Sequence, residues 1–165
     1  MMLLHDSRRD ARFVDGELVL LDEQDRSRWD PALIDAGRAS LDRALALGGR
    51  GPHVLQARIA ALHAAPDCDW PALAALYGEL VDVTGSAVVE LNRAIAVAGA
   101  EGPEAGLRIV DALDLDGFRY LHSTRADLLR RMGRTDDARA AYRRAWELTE
   151  DGAERRFLER RLADS

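Results

Sequence analysis

One spacing occurs four times in this 165-residue chain: a small residue, another residue four positions on, and a further small one three beyond that. The triplets are Gly37/Leu41/Ala44, Ala74/Gly78/Val81, Ala105/Ile109/Ala112 and Ala138/Tyr142/Ala145, recurring at intervals of 37, 31 and 33 residues. Positions i, i+4 and i+7 share one face of a helix. Small residues on that face let a second helix approach closely, and a larger middle residue fills the gap. A period near ~34 residues with this spacing predicts stacked helical hairpins. The second copy fits least well, because Gly78 stands where a large residue belongs.

The last copy is the clearest. Ala126, Leu129, Gly133, Ala138, Tyr142 and Ala145 all stand where a tetratricopeptide (TPR) repeat places its framework residues. Helices are expected at about 1–13, 30–47, 52–65, 70–83, 86–99, 103–113, 117–132, 135–148 and 151–163. Asp30 reads as an N-cap with Pro31 at the first helical position. Ser86 and Thr135 read as further caps, while Pro52, Pro71 and Pro103 mark helix starts. Gly85, Gly102, Gly117, Gly133 and Gly152 mark stops or turns. Asp15-Gly16 is a turn, and residues 17–21 could be extended. The expected fold is all-α: TPR-like stacked helical hairpins forming a right-handed superhelix. Residues 1–165 form one domain in this reading, with a charged insertion at 14–29 between the first two helices.

Apolar residues make up 47% of the chain, enough for a globular core. No apolar run is long enough to span a bilayer, and residues 1–12 lack the pattern of a signal peptide. A single cysteine, Cys68, permits no internal disulfide and points to a reducing, cytoplasmic setting. All 23 basic residues are arginine, so lysine Schiff-base chemistry and a phosphate-loop lysine are excluded. The net charge of −6 is uneven. Residues 1–118 carry 11 arginines and 20 acids, whereas residues 119–165 carry 12 arginines and 9 acids. That basic end is either a solvated face of paired charges such as Arg155/Glu159, or a docking face for an acidic partner. An acidic body disfavours direct contact with nucleic acid.

Catalytic and metal-binding patterns are absent from the sequence. His5, His53, His63 and His122 include no i, i+3 or i+4 pair. No serine stands in a Gly-x-Ser-x-Gly frame, and the loop Gly48-Gly49-Arg50-Gly51 follows no strand. No enzyme activity, cofactor or metal is therefore expected. Two segments stand out instead. Asp22 to Asp30 is densely charged and contains Trp29. Either Trp29 plugs the first hairpin's core while ion pairs tie the segment down, or Asp25, Arg26, Ser27, Arg28 and Trp29 form a recognition surface or line a pocket, with Arg26 and Arg28 as anion partners. The run Glu154 to Leu162 is an amphipathic helix. Arg155, Arg156, Phe157, Arg160 and Arg161 either belong to a cap on the repeat stack or present a docking helix.

These residues resemble a known family. Leu3 to Arg9, Gly16 to Leu21 and Asp22 to Asp30 are similar to the C-terminal extension of bacterial extracytoplasmic-function (ECF) sigma factors that carry a TPR-like domain. Val89 to Ala94, Ala126 to Arg131 and Glu154 to Leu162 are similar as well. Asp25 to Trp29 and Glu90-Leu91-Asn92-Arg93-Ala94 are the most specific segments, and they add Asn92 and Arg93 to the candidate contacts. Members of that family begin with two DNA-reading domains. This chain contains neither and opens inside a helix, so a piece of a longer protein is expected. The resemblance implies regulation of transcription initiation by contact with the sigma DNA-reading domains of the same protein and, through them, with RNA polymerase. No membrane or direct nucleic-acid contact is expected. The alternatives are a free-standing TPR adaptor that binds a peptide, and a small-molecule sensor with a polar pocket near Trp29.

Overall fold

Side-chain caps and prolines set most of the helix starts, as local chemistry requires when the first four N–H groups of a helix lack partners. In the computed structural model, which describes residues 1–21 and 23–164, the Asp30 carboxylate accepts from the amides of Ala32 (2.9 Å) and Leu33 (3.1 Å), with Pro31 opening the helix. Asp69, Ser86 and Asp151 cap three more helices in the same way. Thr135 does not: it occupies the first helical position behind Arg134. Arg134 instead pairs with Asp137 across the first turn at 2.7 Å.

Nine α-helices occur among the described residues, and the all-α expectation holds at that level. They fall into two compact units, Met1–Gly85 and Ser86–Ser165. The first holds α1 (Met2–Asp6), α2 (Pro31–Ala46), α3 (Pro52–His63) and α4 (Trp70–Thr84). The second holds α5 (Ala87–Glu101), α6 (Pro103–Asp111), α7 (Arg119–Arg131), α8 (Thr135–Glu147) and α9 (Gly152–Ala163). No helix among the described residues is long and apolar enough to cross a membrane.

The opening helix is shorter than the expected 1–13. It stops at Asp6 because side chains take up its last carbonyls: Ser7 Oγ donates to Leu4 O (2.9 Å), and Arg12 donates to His5 O (2.8 Å). A 3-10 turn follows at Arg9–Ala11. Then β1 (Phe13–Val14) pairs antiparallel with β2 (Glu17–Leu18). Both turn residues have positive φ, 53° at Asp15 and 79° at Gly16, the pattern of a tight hairpin whose twist matches its strands. The expected turn is therefore present, and the extended segment is limited to two residues per strand.

Within the first unit α1 packs on α2 and α3, and α3 packs on α4. Leu4, 1% exposed, enters the space left by the missing side chain of Gly37. In the second unit α5 pairs with α6, α7 with α8, and α9 closes against α8. The fourth triplet is wholly internal there: Ala138 and Ala145 are fully buried and Tyr142 nearly so. The third is not, since Ala112 is exposed. The tight crossing between α5 and α6 falls at Gly106 instead. A Cβ at that position would lie 2.6 Å from Ala94 O and 2.6 Å from Ala98 Cβ.

These two glycines differ in what they face. At Gly37 an added methyl would meet Cγ and Cδ2 of the buried Leu4 side chain at 2.7 and 2.9 Å, so that side chain must shift, and better helix propensity of about 1 kcal/mol offsets part of the strain. At Gly106 it would meet backbone, which cannot shift in this way. Gly106→Ala is expected to destabilise the chain by about 2–3 kcal/mol and Gly37→Ala by roughly 1 kcal/mol or less, read from urea unfolding midpoints. Equal losses would contradict this assignment of the close crossing.

Candidate functional site

The charged segment before α2 is held by its own side chains. The Asp25 carboxylate caps a 3-10 turn at Arg26–Arg28 by accepting from Ser27 N (2.9 Å) and Ser27 Oγ (2.7 Å). These bonds stabilise the charged form and hold the Asp25 carboxyl below its ordinary range. Asp22 lies outside the described residues. Trp29 is 6% exposed and packs with Leu4, Ala11, Ala60 and Ala64, against which Leu21 and Ile34 also rest. It is thus a core residue of the first unit and not part of the recognition surface offered as one alternative. Arg28 is exposed. Arg26 lies over the indole, its Cζ 4.5 Å from the ring centroid, and donates to Ala65 O at 2.6 Å, just beyond the end of α3.

Arg8, which the motif reading passed over, is the second cation on this indole, at 5.6 Å. Its Nη2 lies 3.3 Å from His5 Nδ1. His63 and Tyr77 meet across α3 and α4, Nε2 to hydroxyl at 3.4 Å. Burial, with added repulsion from Arg8, His5 and Arg26, lowers the His63 pKa to about 4. Burial likewise raises the Tyr77 hydroxyl, with Arg8 opposing. No spacing in the sequence marks this cluster, because it forms only when α3 packs against α1 and α4.

The second unit presents an open groove of about 600 Å³ between α6, α7 and α8. Leu107, Leu129 and Ala141 supply apolar lining, and charge comes from Arg125, Arg134 and Arg144 together with Asp111 and Asp137. Each arginine has an acidic neighbour. Arg125 Nε stands 2.9 Å from Asp111 Oδ1, although its N–H is not aligned on that oxygen, and Arg144 reaches Glu147 at 3.1 Å. His122 is buried at the groove and bonds Asp116 O through Nε2 (2.8 Å). Exposed pairs of this kind contribute roughly 0–1 kcal/mol each, so a ligand carboxylate can replace an internal one at little cost.

The terminal candidates are arranged differently from the expected i, i+4 pair. Arg155 and Glu159 do not join each other; both engage Trp146. Arg155 Cζ lies 4.3 Å from its ring centroid, and its Nε1–H donates to Glu159 at 3.1 Å. Phe157 packs on the second unit's core, with Arg161 stacked on it at 5.1 Å. Arg156 and Arg160 are exposed. At the start of α9, Glu154 accepts from Arg119 Nε (2.7 Å) and from the Tyr120 hydroxyl (2.5 Å), fastening α9 to α7. Asn92 is exposed on α5, and Arg93 pairs with Glu90 at 2.7 Å. Leu91 and Ala94 of the same motif point into the core. The structure does not bring the Asp25 group together with the Arg155 group: they belong to different units.

His63 ties this geometry to pH. Its folded pKa, about 4, lies below the ordinary 6.5, so between those values the unfolded chain binds a proton that the folded chain does not. The stabilisation is complete above pH 6.5 and is lost as pH falls through about 4. Between pH 7.5 and 5 the native chain should lose about 2 kcal/mol more stability than His63→Gln, read from urea unfolding at each pH. Parallel pH profiles for the two proteins would contradict the buried, cation-flanked histidine.

Residues 1–45 match a family of unknown function, DUF6596. An uncharacterized protein of Rhizobium meliloti (strain 1021) is 40% identical over 169 residues, a match that takes in 98% of this chain and 40% of that protein. The chain therefore spans about 40% of the length of the curated relative it matches.

Proposed function

We propose that this chain is a TPR-like interaction module: the C-terminal regulatory domain of a longer ECF sigma factor, acting on transcription initiation through protein contacts and not through catalysis. The observation that carries the repeat reading is the sequential packing within each unit. α1 pairs with α2, α3 with α4, α5 with α6 and α7 with α8, and the fourth triplet is buried as a TPR framework requires. In this reading the hairpins form a right-handed superhelix. The sigma assignment rests on the resemblance of the segments around Asp25–Trp29 and Glu90–Ala94. The relative's greater length is compatible with further domains.

The contact face follows from charge. Arg125, Arg134 and Arg144 at the groove, with Arg156 and Arg160 exposed on α9, suit an acidic stretch of a partner protein. Asn92 lies on a separate exposed face. The partners are the sigma DNA-reading domains of the same protein and, through them, RNA polymerase in the cytoplasm. Contact of these surfaces with the sigma domains shifts the balance between two domain arrangements, and a signal acts by biasing that balance.

Promoter-driven transcription by core polymerase with the DNA-reading fragment, with and without this domain joined in native order, tests the proposal. A change in output on joining, in either direction, is expected. Arg134→Glu with Arg144→Glu should cancel most of that change while leaving the melting temperature within a few degrees. Equal output with and without the domain would sink the regulatory reading and favour a free-standing peptide-binding adaptor.

A further inference from the structure

The first unit contains a corner that, among the described residues, is rich in hydrogen-bond donors and short of acceptors. Arg8 and Arg26 lie on the Trp29 indole at 5.6 and 4.5 Å. Arg12 reaches His5 O at 2.8 Å, beside the Arg8–His5 contact. Arg26 meets Ala65 O at the end of α3, next to His63. Elements far apart in sequence thus deliver three guanidiniums and two imidazoles to one place. None of the ion pairs among the described residues involves Arg8, Arg12 or Arg26. Each guanidinium has five N–H donors, and the acceptors they find are two backbone carbonyls and one ring nitrogen. Beneath them the Trp29 Nε1–H is buried with no acceptor among the described residues.

What distinguishes this corner is convergence: three guanidiniums meet there, two of them on one indole. In the second unit Arg93, Arg119, Arg125, Arg130, Arg134 and Arg144 all stand beside carboxylates. The whole chain has 29 acids against 23 arginines, so unpaired cations do not reflect a shortage of carboxylates. Crowding raises the free energy of the charged forms: Arg8 is held below its ordinary pKa by burial and then by Arg12 and Arg26. An anion supplies what is missing, namely negative charge and several acceptor oxygens that guanidiniums can engage in pairs.

We propose that Arg8, Arg12 and Arg26 form a binding site for a small phosphate-type oxyanion. The surroundings argue for a small ligand. Residues 1–85 carry 14 acids and 9 arginines, so a long polyanion such as nucleic acid would be repelled by the surface around the corner. A single phosphate or pyrophosphate group meets only the cations. Arg26 and His5 are exposed, which gives the site an open side.

The test uses the 165-residue chain with sodium phosphate, sodium pyrophosphate and sodium citrate, each against sodium chloride at matched ionic strength. Pyrophosphate should raise the melting temperature by about 3–5 °C at saturation, inorganic phosphate by less, and citrate by the least. Arg8→Gln should melt no lower than the native chain in chloride, because it relieves like-charge crowding, and should lose most of the pyrophosphate shift. Arg8→Lys, which keeps the charge, should retain part of it, and Arg139→Gln on α8 should respond as the native chain does. Calorimetric titration with pyrophosphate should show saturable binding to the native chain at about tenfold or greater affinity over Arg8→Gln. A native chain that melts identically in pyrophosphate and chloride, or an Arg8→Gln variant that keeps the full shift, would overturn the site. A citrate shift equal to that of pyrophosphate would overturn the phosphate class.

Discussion

Helices in this chain meet at alanine and glycine, and the rest of the fold depends on the closeness this allows. Only 5% of the residues are aromatic, so large side chains cannot fill wide gaps between helices. Gly106 lets α6 lie directly on the backbone of α5, and Gly37 makes room for Leu4. Ala138 and Ala145 leave a space into which Tyr142 fits with almost no exposure. A core built from small residues has little tolerance for added volume, because close-packed interiors transmit each methyl to their neighbours. Each of the two units is held together by crossings of this kind.

Thin cores also shape the surface. Charged residues make up 32% of the chain, and every cation is an arginine, whose flat head can pair with a carboxylate or lie on an aromatic ring. The second unit uses both options: Glu154 joins Arg119 and Tyr120, and Trp146 is shared by Arg155 and Glu159. The first unit also pairs Arg9 with Asp6 and Arg58 with Glu79, but at Trp29 it uses the ring. Trp29 carries two guanidiniums, neither of which forms an ion pair among the described residues. The two units therefore offer different chemistry. One has a groove lined by arginines beside carboxylates; the other has a corner where guanidiniums stack on an indole.

Much of the fold was legible in the sequence because local signals agreed with one another. Asp30-Pro31, Ser86 and Gly85 act as caps or stops where their types predict, and Asp15-Gly16 turns the chain as such pairs do. The misses have physical causes. Thr135 stands one position inside the helix, behind Arg134, so its hydroxyl does not cap it. Arg155 and Glu159 have suitable helical spacing, yet Trp146 from α8 offers each a better neighbour. Trp29 fills the first unit's core, one of the two alternatives its sequence setting offered, but its partners Leu4, Ala60 and Ala64 come together only through tertiary packing. The same holds for Arg8 and His63, whose significance lies in contacts across separate elements.

The central claim is that this chain works by binding other parts of a longer protein. The most direct measurement splits the Rhizobium meliloti relative into the 40% that matches this chain and the remainder, expressed as two polypeptides, and follows their association by calorimetry across ionic strength. The account predicts saturable one-to-one binding that weakens as salt rises, as expected for arginine-lined surfaces meeting an acidic partner. Two polypeptides that fold separately and show no association at low salt would contradict it.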